Sequence, residues 1–540
     1  MERDREMSKQ TLAEKKHKWN IDIMAVLMIA TPLILAGIVA VYYYLHNAGM
    51  SWIPGLKWND EAAYYQMIKT YSAFWQPQGY WGFNGNHAIL GTGGAWSPAI
   101  IWPYVIFAKI FPLSYGFVYF VNLFYITLAN VIFYLCVKPN RKQCIKLAVA
   151  QAGSAVFILY LSVNMSEMFR YAIAIVLAGL LYQILFKESP KVVKYVVTPL
   201  LIVGATQVYV FFAFCVPVYV FGIMKKSRLW KKLTVSAAAL GVVAFGSYYL
   251  LHLISSNYNI HKTEALLNAV KSMDIGGAIV AFLRMMKQGA TDVFNLWMYV
   301  YSNPLIPFHV LFSVILILVS AGIILVFITK KKKAQITKDV AIAVITAYSI
   351  VVFFLMYMTL YSIDPFTFMR GTYIAVIFAV YLMAMMDCKW VYTGILALQA
   401  VSLFFLPVNM DYYMTEHYMS AEEYLEWQAL EEDIAEVFRQ NGVAEQDDIW
   451  GHTVAMYTME PKAICSLPAG LGVNFVMEDG VFPTDAGYLF FSQIPAAQQS
   501  SEWIVRDYET FYNAFKTELE QQYCVIYDDG TYIIYQKAHK

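Results

Sequence analysis

Charge is scarce in this 540-residue chain: Asp, Glu, Lys and Arg make up 14% of the residues, whereas 59% are hydrophobic. A soluble protein carries about 25% charged residues. The shortage therefore excludes an ordinary soluble globular protein, and the long apolar runs indicate a polytopic α-helical membrane protein. The formal net charge of +1 adds little, because the basic residues are strongly clustered along the chain.

Cysteine is also rare. The six cysteines form no CxxC motif and show no metal-ligand spacing, so the sequence carries no signature of a zinc or dithiol site. Cys465 and Cys524 share the C-terminal part of the chain, and a disulfide between them is left open. No small-residue cleavage site follows the first apolar run, which is too long for a signal-peptide core, so we expect no cleavable signal.

The clusters of Lys and Arg orient the predicted spans. Residues 1–20 are polar and basic, and the later clusters all fall on the same side when the apolar segments are threaded in turn. The positive-inside rule makes that side cytoplasmic, so we expect a cytoplasmic N-terminus and an extracytoplasmic C-terminus. The sequence predicts about 11 transmembrane helices. They cover about residues 21–45, 116–137, 147–163, 171–186, two short crossings within 195–224, 235–254, 308–329, 340–361, 371–386 and 391–407.

Two large outer loops are predicted, over about residues 46–115 and 255–304. The apolar stretch 98–111 of the first loop is short for a crossing and is interrupted by Pro103. We therefore expect it to be a helix that lies in the membrane interface.

The chain divides into three predicted parts: a basic cytoplasmic N-terminus (1–20), a transmembrane domain (21–410) and an extracytoplasmic α/β domain (411–540). In the last part, Ser420-Ala421-Glu422-Glu423 is a capping box that opens a helix to about Gln440. The remaining predicted elements of this domain are a strand over 448–457, a helix over 507–522 and a hairpin over 523–535 with Asp529-Gly530 at its turn.

Two adjacent carboxylates, Asp60 and Glu61, follow the first span. Charge close to a bilayer is costly and is usually kept for a function. A carboxylate there suits deprotonation of an acceptor hydroxyl or binding of a cation. The alternative is structural, because Asn59 is a good N-cap residue and acids in the first helical turn favour the helix dipole.

The first outer loop also carries aromatic residues, amides and glycines between Tyr80 and Trp96, with His87 among them. Rings stack on sugar faces and amides bond sugar hydroxyls, so the run suits a polar sugar. An aromatic belt at the membrane interface is the alternative interpretation.

Charged residues on other outer turns are further candidates. Glu167 and Arg170 have the spacing of an i,i+3 ion pair and are also placed for the rim of a site. Arg284 and Lys287, one helical turn apart, suit a lipid phosphate or headgroups in general. Arg370, at the entry of a span, suits a phosphate or an interfacial anchor.

The order of these features resembles the GT-C superfamily of polyprenyl-phosphate-dependent glycosyltransferases, which includes protein O-mannosyltransferases and lipid A aminoarabinose transferases. One span, an outer loop beginning with Asp-Glu and an interfacial helix opening with Ser97-Pro98 follow in that order. Glu167-Met168-Phe169-Arg170-Tyr171 is similar to the family's E-x-x-R-[MY]-Y turn. The stretch from Thr206 to Phe212 looks like its T-H-x-x-x-F-F break, with Gln207 where His is common. The resemblance covers about residues 20–410.

The resemblance implies an inverting glycosyltransferase that takes a sugar from a polyprenyl-phosphate or diphosphate donor. The acceptor is a glycan, lipid or protein on the outer face of the cell membrane, and nucleic acid is not an expected partner. Asp60 is implied as catalytic base and Glu61 as the second catalytic residue. No cofactor is definite, and a divalent cation (Mg²⁺ or Mn²⁺) is left open. The predicted substrate-binding residues, from the residue types and the resemblance together, are Tyr64, His87, Trp96, Glu167, Arg170, Gln207, Tyr209, Arg284, Lys287 and Arg370.

Other functions remain open at this point. A transporter or flippase for lipid-linked sugars predicts internal repeats and charged or broken helices at mid-membrane. The sequence shows no clear repeat, and its membrane-associated charges cluster at the outer ends of spans, which favours chemistry at the outer surface. A polysaccharide polymerase or ligase shares the donor class, and a family member that binds without catalysis is a further alternative.

Overall fold

Long helices dominate the architecture. The computed structural model describes residues 22–46, 50–77, 91, 98–254, 261–329, 337–360, 364–442, 452–476, 482–483, 485–498 and 507–538. Its α-helices in chain order are α1 (Ile23–His46), α2 (Asn59–Phe74), α3 (Trp102–Ala108), α4 (Phe117–Val137), α5 (Arg141–Ala152), α6 (Ala155–Leu161), α7 (Glu167–Phe186), α8 (Thr198–Val208), α9 (Cys215–Ile223), α10 (Leu229–Ile254), α11 (His261–Lys271), α12 (Ile275–Asn295), α13 (Leu305–Thr329), α14 (Lys338–Leu360), α15 (Pro365–Met383), α16 (Lys389–Ala400), α17 (Leu406–His417), α18 (Ala421–Gln440), α19 (Pro461–Ser466) and α20 (Tyr508–Gln522). Short 3₁₀ segments lie at Pro98–Ile100, Val210–Phe214, Leu296–Val300, Val401–Phe405 and Ala496–Gln498, and a π-helical segment lies at Val193–Val197.

Eight helical segments of the described chain are long and apolar enough to cross a membrane, which confirms the predicted polytopic helical architecture. They are α1, α4, α7, α10, α13, α14, α15 and the helical segment Lys389–His417. The bent pair α5–α6, with an angle of 70° at its break, is a ninth candidate. Two shorter apolar segments lie at Val193–Val208 and Val210–Ile223.

Each predicted crossing falls on one of these segments, but the two short ones differ from the rest. A straight crossing needs about 20 residues, so each of them is too short to span the bilayer unaided. The break between them lies at Tyr209, whose backbone is extended (φ −156°, ψ 111°), inside the stretch from Thr206 to Phe212 that resembles the family's break.

Two helices form the centre of the bundle. In α7, 78% of the most apolar window is buried inside the protein, and in α15 the share is 89%. The other long spans bury less than half of theirs, as expected for helices with an apolar face turned to lipid. Both helices carry charged residues near their starts: Glu167 and Arg170 lie in the first turn of α7, and Arg370 lies in the second turn of α15.

The bundle has two distinct ends. At one, Arg141 Nε lies 3.2 Å from Asp22 Oδ1 and Lys338 Nζ lies 2.7 Å from Asp387 Oδ1; we call it the basic end. At the other, called the domain end, α2 and the C-terminal residues pack. The first turns of α7 and α15 belong to the domain end.

The predicted interfacial segment is the short helix α3, preceded by a 3₁₀ turn. Tyr104 and Val105 are buried, whereas Trp102, Ile106 and Phe111 expose large apolar side chains. Seven residues cannot cross a bilayer, and the exposed apolar face suits the predicted position in the interface.

The C-terminal part forms a small α/β domain, as predicted. Its strands are β3 (Thr453–Met456), β4 (Gly472–Phe475), β5 (Tyr488–Ser492), β6 (Tyr523–Asp528) and β7 (Tyr532–Lys537), in the sheet order β4-β3-β5-β7-β6. Strand β3 is parallel to β4 and β5, whereas β7 is antiparallel to β5 and β6. The predicted capping box opens α18, since Glu423 N–H donates to Ser420 Oγ and Ser420 N–H donates to Glu423.

One predicted strand of this domain and its two cysteines can be compared with the structure. The predicted strand 448–457 is observed only over 453–456, and residues 448–451 lie outside the described part. Cys465 is buried and Cys524 is exposed, and both are free thiols.

The C-terminal domain is fastened to helix α2. A two-stranded sheet pairs β1 (Met50–Pro54), before α2, with β2 (Tyr418–Ser420), at the start of the domain. Glu431 of α18 then accepts hydrogen bonds from Lys69 Nζ (2.5 Å) and from the hydroxyls of Tyr65 and Tyr115. The domain therefore fixes where the N-terminus of α2 lies.

Candidate active site

Four charged side chains from three elements meet at the domain end. Asp60 lies in the first turn of α2, Glu167 and Arg170 in the first turn of α7, and Arg370 near the start of α15. Glu167 and Arg170 lie on the same helix face because of their i,i+3 spacing. Asp60 and Arg370 are 310 residues apart in the sequence, so only the tertiary fold brings them together.

Arg370 lies at the centre of this charge cluster, which consists of Asp60, Glu167, Arg170 and Arg370. Its Nη2 is 3.2 Å from Asp60 Oδ2, and its Nε is 3.7 Å from Glu167 Oε1. Arg170 Nη1 is 3.5 Å from the same Glu167 oxygen. The side chains are 14% exposed for Asp60 and 3% to 11% exposed for the other three. Two acids balance two guanidinium groups, which is the condition under which buried charges are tolerated.

Aromatic rings and small polar groups orient both arginines. The Arg170 guanidinium carbon lies 4.6 Å from the centre of the Tyr209 ring, and that of Arg370 lies 5.4 Å from the centre of the Trp58 ring. Both are cation–π distances. Arg370 Nη2 also donates to Thr367 Oγ1 at 3.3 Å. The cations are therefore held in defined positions.

Gly371, beside Arg370, allows α15 to approach its neighbours closely. A Cβ at this position would lie 2.5 Å from Cε2 of Tyr357 and 3.1 Å from the Tyr209 hydroxyl oxygen. The space next to Arg370 is thus filled by tyrosine rings. This packing accounts for the glycine that separates Arg370 from Tyr373 in the sequence.

Burial raises the pKa of the Asp60 carboxyl above its ordinary value, and the charge of Glu167 adds to this effect. The charge and hydrogen bond of Arg370 lower that pKa, but burial is the larger effect. A carboxylate with increased proton affinity is a better general base near neutral pH than an ordinary aspartate. The ion pair with Arg370 therefore fixes the position of Asp60, and the buried environment favours uptake of a proton by its carboxylate.

Glu61 has a different environment from its neighbour. Its side chain is fully buried, Oε1 accepts the N–H of Asn164 at 2.8 Å and lies 2.9 Å from His417 Nδ1, and Oε2 accepts the N–H of Trp58 at 3.3 Å. Burial raises the pKa of Glu61, and His417 opposes that rise. With both oxygens engaged, Glu61 is suited to hold the start of α2 in place.

Of the two structural explanations for these acids, helix capping applies to Glu61 alone, whereas both acids lie in the first turn of α2, where they favour the helix dipole. The N-cap residue of α2 is Trp58 rather than the predicted Asn59. The Trp58 N–H donates to Glu61 as a capping contact, whereas Asn59 Oδ1 accepts the N–H of Asp60, at 2.8 Å. The Asp60 carboxylate contacts Arg370 instead. Capping thus leaves the side chain of Asp60 unexplained.

Tyr64 is also at the site. Its hydroxyl lies 2.9 Å from Ser166 Oγ, in the residue that precedes Glu167, and its ring is buried. Tyr64 therefore ties α2 to the first turn of α7, one helical turn below Asp60.

Two buried atoms of the cluster have no hydrogen-bond partner within the part of the chain that the structure describes. They are Glu167 Oε2 and Arg170 Nε. Buried polar atoms are nearly always paired, so these atoms have the capacity to bind a polar ligand.

Of the remaining predicted site residues, the three that the structure describes make no contact with the cluster. Gln207 donates to Ser247 Oγ at 2.8 Å, on α10. Arg284 and Lys287 are exposed on α12. His87 and Trp96 lie outside the described residues.

The charge cluster does not fit a divalent cation in this arrangement. The described residues contain no group of three or more His, Cys, Asp and Glu side chains that could hold a metal. Asp60 and Glu167, the oxygen donors at the site, face the two arginines, whose positive charge opposes a second cation.

Several residues that contribute to the site are not among the predicted site residues. Trp58 stacks on Arg370, and Thr367 bonds it, although neither was singled out as a site residue. Asn164 and His417 hold Glu61. An aromatic residue two positions before Asp60 is a weak hint, whereas His417 lies more than 350 residues away and offers none.

The fold and the site define a polytopic α-helical membrane protein with a small α/β domain and a buried Asp–Glu–Arg cluster at one end. No protein-family model and no curated protein matches the chain. Among solved structures, ArnT from Cupriavidus metallidurans bound to undecaprenyl phosphate is similar over 94% of this chain and 98% of that chain, at 10% identity and a TM-score of 0.46.

A second similar structure is the archaeal oligosaccharyltransferase AglB from Archaeoglobus fulgidus, in complex with an inhibitory peptide and a dolichol-phosphate. The similarity extends over 94% of this chain and 74% of the AglB chain, at 12% identity and a TM-score of 0.45. ArnT and AglB are members of the GT-C superfamily, which the sequence motifs resemble. TM-scores below 0.5 carry no conclusion about the reaction, which has to be inferred from the chain's own residues.

Proposed function

We propose that this protein is a membrane glycosyltransferase that moves a sugar from a polyprenyl-phosphate or diphosphate donor to an acceptor hydroxyl on the outer face of the membrane. One observation carries the proposal: Asp60, with its raised pKa, contacts Arg370 inside a buried cluster that also holds Arg170 and Glu167. A proton acceptor beside two fixed cations suits a reaction in which a hydroxyl loses a proton and a phosphate leaves.

Asp60 acts as general base in this reaction. As the acceptor oxygen forms its bond to the anomeric carbon, its proton passes to an oxygen of the Asp60 carboxylate. The bond from the anomeric carbon to the phosphate oxygen breaks at the same time, and its electron pair stays with the lipid phosphate. Direct displacement of this kind inverts the anomeric centre.

Arg370 and Arg170 stabilise the charge that develops on the leaving phosphate. Cationic donors already fixed in a water-poor site cost little reorganisation when charge appears. Aromatic contacts with Trp58 and Tyr209 support such fixed positions. A phosphate already leaves readily as an anion, so the mechanism needs no strong general acid.

Glu61 has a positioning role in this proposal. Its contacts with Asn164 and His417 hold the first turn of α2, and Asp60 is the preceding residue. The outer location rests on the positive-inside rule, since the charge cluster lies at the end opposite the basic end.

The test is a transfer assay in proteoliposomes with polyprenyl-phosphate sugars as donors. Asp60→Asn keeps the size of the side chain and removes the base, so we expect sugar release to fall by about 100-fold or more. Asp292→Asn, at a half-buried position of α12 whose hydrogen bond from Gln288 is exposed, is the matched control and should retain wild-type activity. Equal activity of Asp60→Asn and wild type would remove Asp60 from the catalytic role.

The same vesicles separate the main rival function. A flippase moves the lipid-linked sugar between leaflets without breaking the sugar–phosphate bond. Movement of intact donor, with no sugar released by the wild type on any acceptor, would replace the transferase proposal with transport.

A further inference from the structure

A cavity of about 670 Å³ opens at the basic end of the bundle, away from the charge cluster. It is lined mainly by the start of α5 and by the turn between α15 and α16. Its charged lining residues are Arg141, Lys142, Lys146, Lys389 and a single carboxylate, Asp387. The lining therefore has a strong excess of positive charge.

The few acids nearby already have partners. Asp387 pairs with Lys338 at 2.7 Å, and Asp22 pairs with Arg141 at 3.2 Å. Asp339 accepts the backbone N–H groups of residues 387 and 388. Of the described carboxylates, none forms an ion pair with Lys142, Lys146 or Lys389, so the three ammonium groups repel one another across the cavity.

Apolar residues continue from the cavity along the surface of α5. Arg141, Ile145 and Val149 follow one another at i,i+4 spacing and therefore form one stripe on that helix. Arg141 lies at the cavity. Ile145 (41% exposed) and Val149 (44% exposed) lie farther along α5, towards the middle of the bundle. Trp390, beside Lys389, is 87% exposed, as expected for a side chain at headgroup depth.

We propose that this cavity binds the phosphate headgroup of an anionic membrane lipid, with an acyl chain lying along the stripe of Ile145 and Val149. A phosphate supplies the negative charge that Lys142, Lys146 and Lys389 lack. The apolar stripe favours a lipid over a free phosphate ion, which has nothing to place against it. The site lies at the opposite end from the charge cluster and does not depend on the proposed transfer reaction.

Native mass spectrometry tests the site on full-length protein released from nanodiscs of phosphatidylglycerol and phosphatidylcholine. We expect the wild type to retain phosphatidylglycerol in preference to phosphatidylcholine. The triple variant Lys142→Gln/Lys146→Gln/Lys389→Gln should retain at least about tenfold less of it, since each basic residue near an anionic lipid contributes about fivefold. Equal retention by variant and wild type would overturn the proposal, as would equal retention of the two lipids by the wild type.

Matched controls separate this site from the general basic surface. Lys191→Gln/Lys226→Gln/Arg228→Gln removes three exposed positive charges from the same end outside the cavity, and it should retain lipid like the wild type. The charge-conserving triple Lys→Arg variant at residues 142, 146 and 389 should also do so. If the control loses as much lipid as the cavity variant, the cavity is not a specific site.

Two further arms complete the test. Lys142 and Lys389 are exposed, so Lys142→Gln and Lys389→Gln should fold even if the triple variant does not, and each should lower retention about threefold or more. Inorganic phosphate is titrated against the wild type in parallel. Displacement of phosphatidylglycerol by equimolar inorganic phosphate would contradict a lipid as the occupant.

Discussion

At the domain end of the bundle, three contacts of 3.2 to 3.7 Å link four charged side chains that are almost completely buried. At the basic end, Lys142 and Lys389 are exposed and form no ion pair with a described carboxylate. The basic end contains more charged residues, but the positive-inside rule already accounts for most of them. Burial of a few paired charges, rather than their number, distinguishes the candidate active site.

Among substitutions at the two ends of the bundle, Arg370→Gln should have the largest effect on stability and sugar transfer. It leaves Asp60 and Glu167 buried without their shared cation, so we expect a loss of about 3 kcal/mol in the free energy of unfolding. Sugar transfer should fall by about 100-fold or more, because a fixed donor to the leaving phosphate is lost. Thermal unfolding in detergent and the vesicle assay measure the two effects.

Arg284→Gln is the control for this substitution. It removes the same charge from an exposed position, and its effect on unfolding should stay within about 0.5 kcal/mol. If both variants unfold at the same temperature as the wild type, burial does not distinguish the two arginines.

The pH profile of transfer should show the second largest effect. Burial raises the pKa of Asp60, and a protonated carboxyl cannot accept a proton, so kcat/KM should fall as the pH decreases through that raised value. We expect the acidic limb above about pH 4, the ordinary value for aspartate. Since Arg370 lowers the pKa, the residual activity of Arg370→Gln should show the limb at higher pH. An acidic limb at or below pH ~4 would contradict the role of Asp60. An acidic limb at the same pH in Arg370→Gln and in the wild type would contradict it as well.

Glu431→Gln should have an intermediate effect, on the attachment of the C-terminal domain to α2. It removes the charge that pairs with Lys69 while keeping the shape of the side chain. We expect a loss of about 1 to 2 kcal/mol, as for a charged hydrogen bond. Glu426→Gln is the matched control, because its pair with Lys462 is more exposed and should contribute less than about 1 kcal/mol. Equal shifts in Tm would show that the half-buried contact between Lys69 and Glu431 does not attach the domain to α2.

The double substitution Arg284→Gln/Lys287→Gln should have the smallest effect on stability, within about 0.5 kcal/mol, because both side chains are exposed. If these residues attract the lipid phosphate, as the family resemblance implies, the KM for the donor should rise about fivefold per charge with kcat unchanged. Lys271→Gln, on α11, is the control for a general charge effect. A fall in kcat at constant KM would instead place the pair at the reacting atoms.

The architecture was largely predictable because it follows from local composition. Apolar runs mark the helices and basic clusters mark their ends, so the polytopic fold, the interfacial helix α3 and the α/β tail could be recognised. Span lengths were harder to predict in the long apolar run 195–224, because it contains a break. The family resemblance indicates a break between Thr206 and Phe212, but the apolar pattern of the run does not fix its position at Tyr209.

The candidate site was only partly predictable. Asp60, Glu167, Arg170 and Arg370 were singled out individually, but their mutual distances depend on how α2, α7 and α15 pack. Asp60 and Glu61 are adjacent and similar in the sequence, and only the structure shows that Arg370 faces the first while His417 and Asn164 surround the second. The roles of these residues remain predictions.

The central claim is that the charge cluster is where a lipid-linked phosphate reacts. The most direct measurement is a cryo-EM structure of the protein in nanodiscs with a polyprenyl phosphate. The account predicts phosphate oxygens about 3 Å from guanidinium nitrogens of Arg370 or Arg170, with Asp60 facing the same space. A phosphate bound elsewhere, with the Asp60–Arg370 pair unchanged, would contradict it.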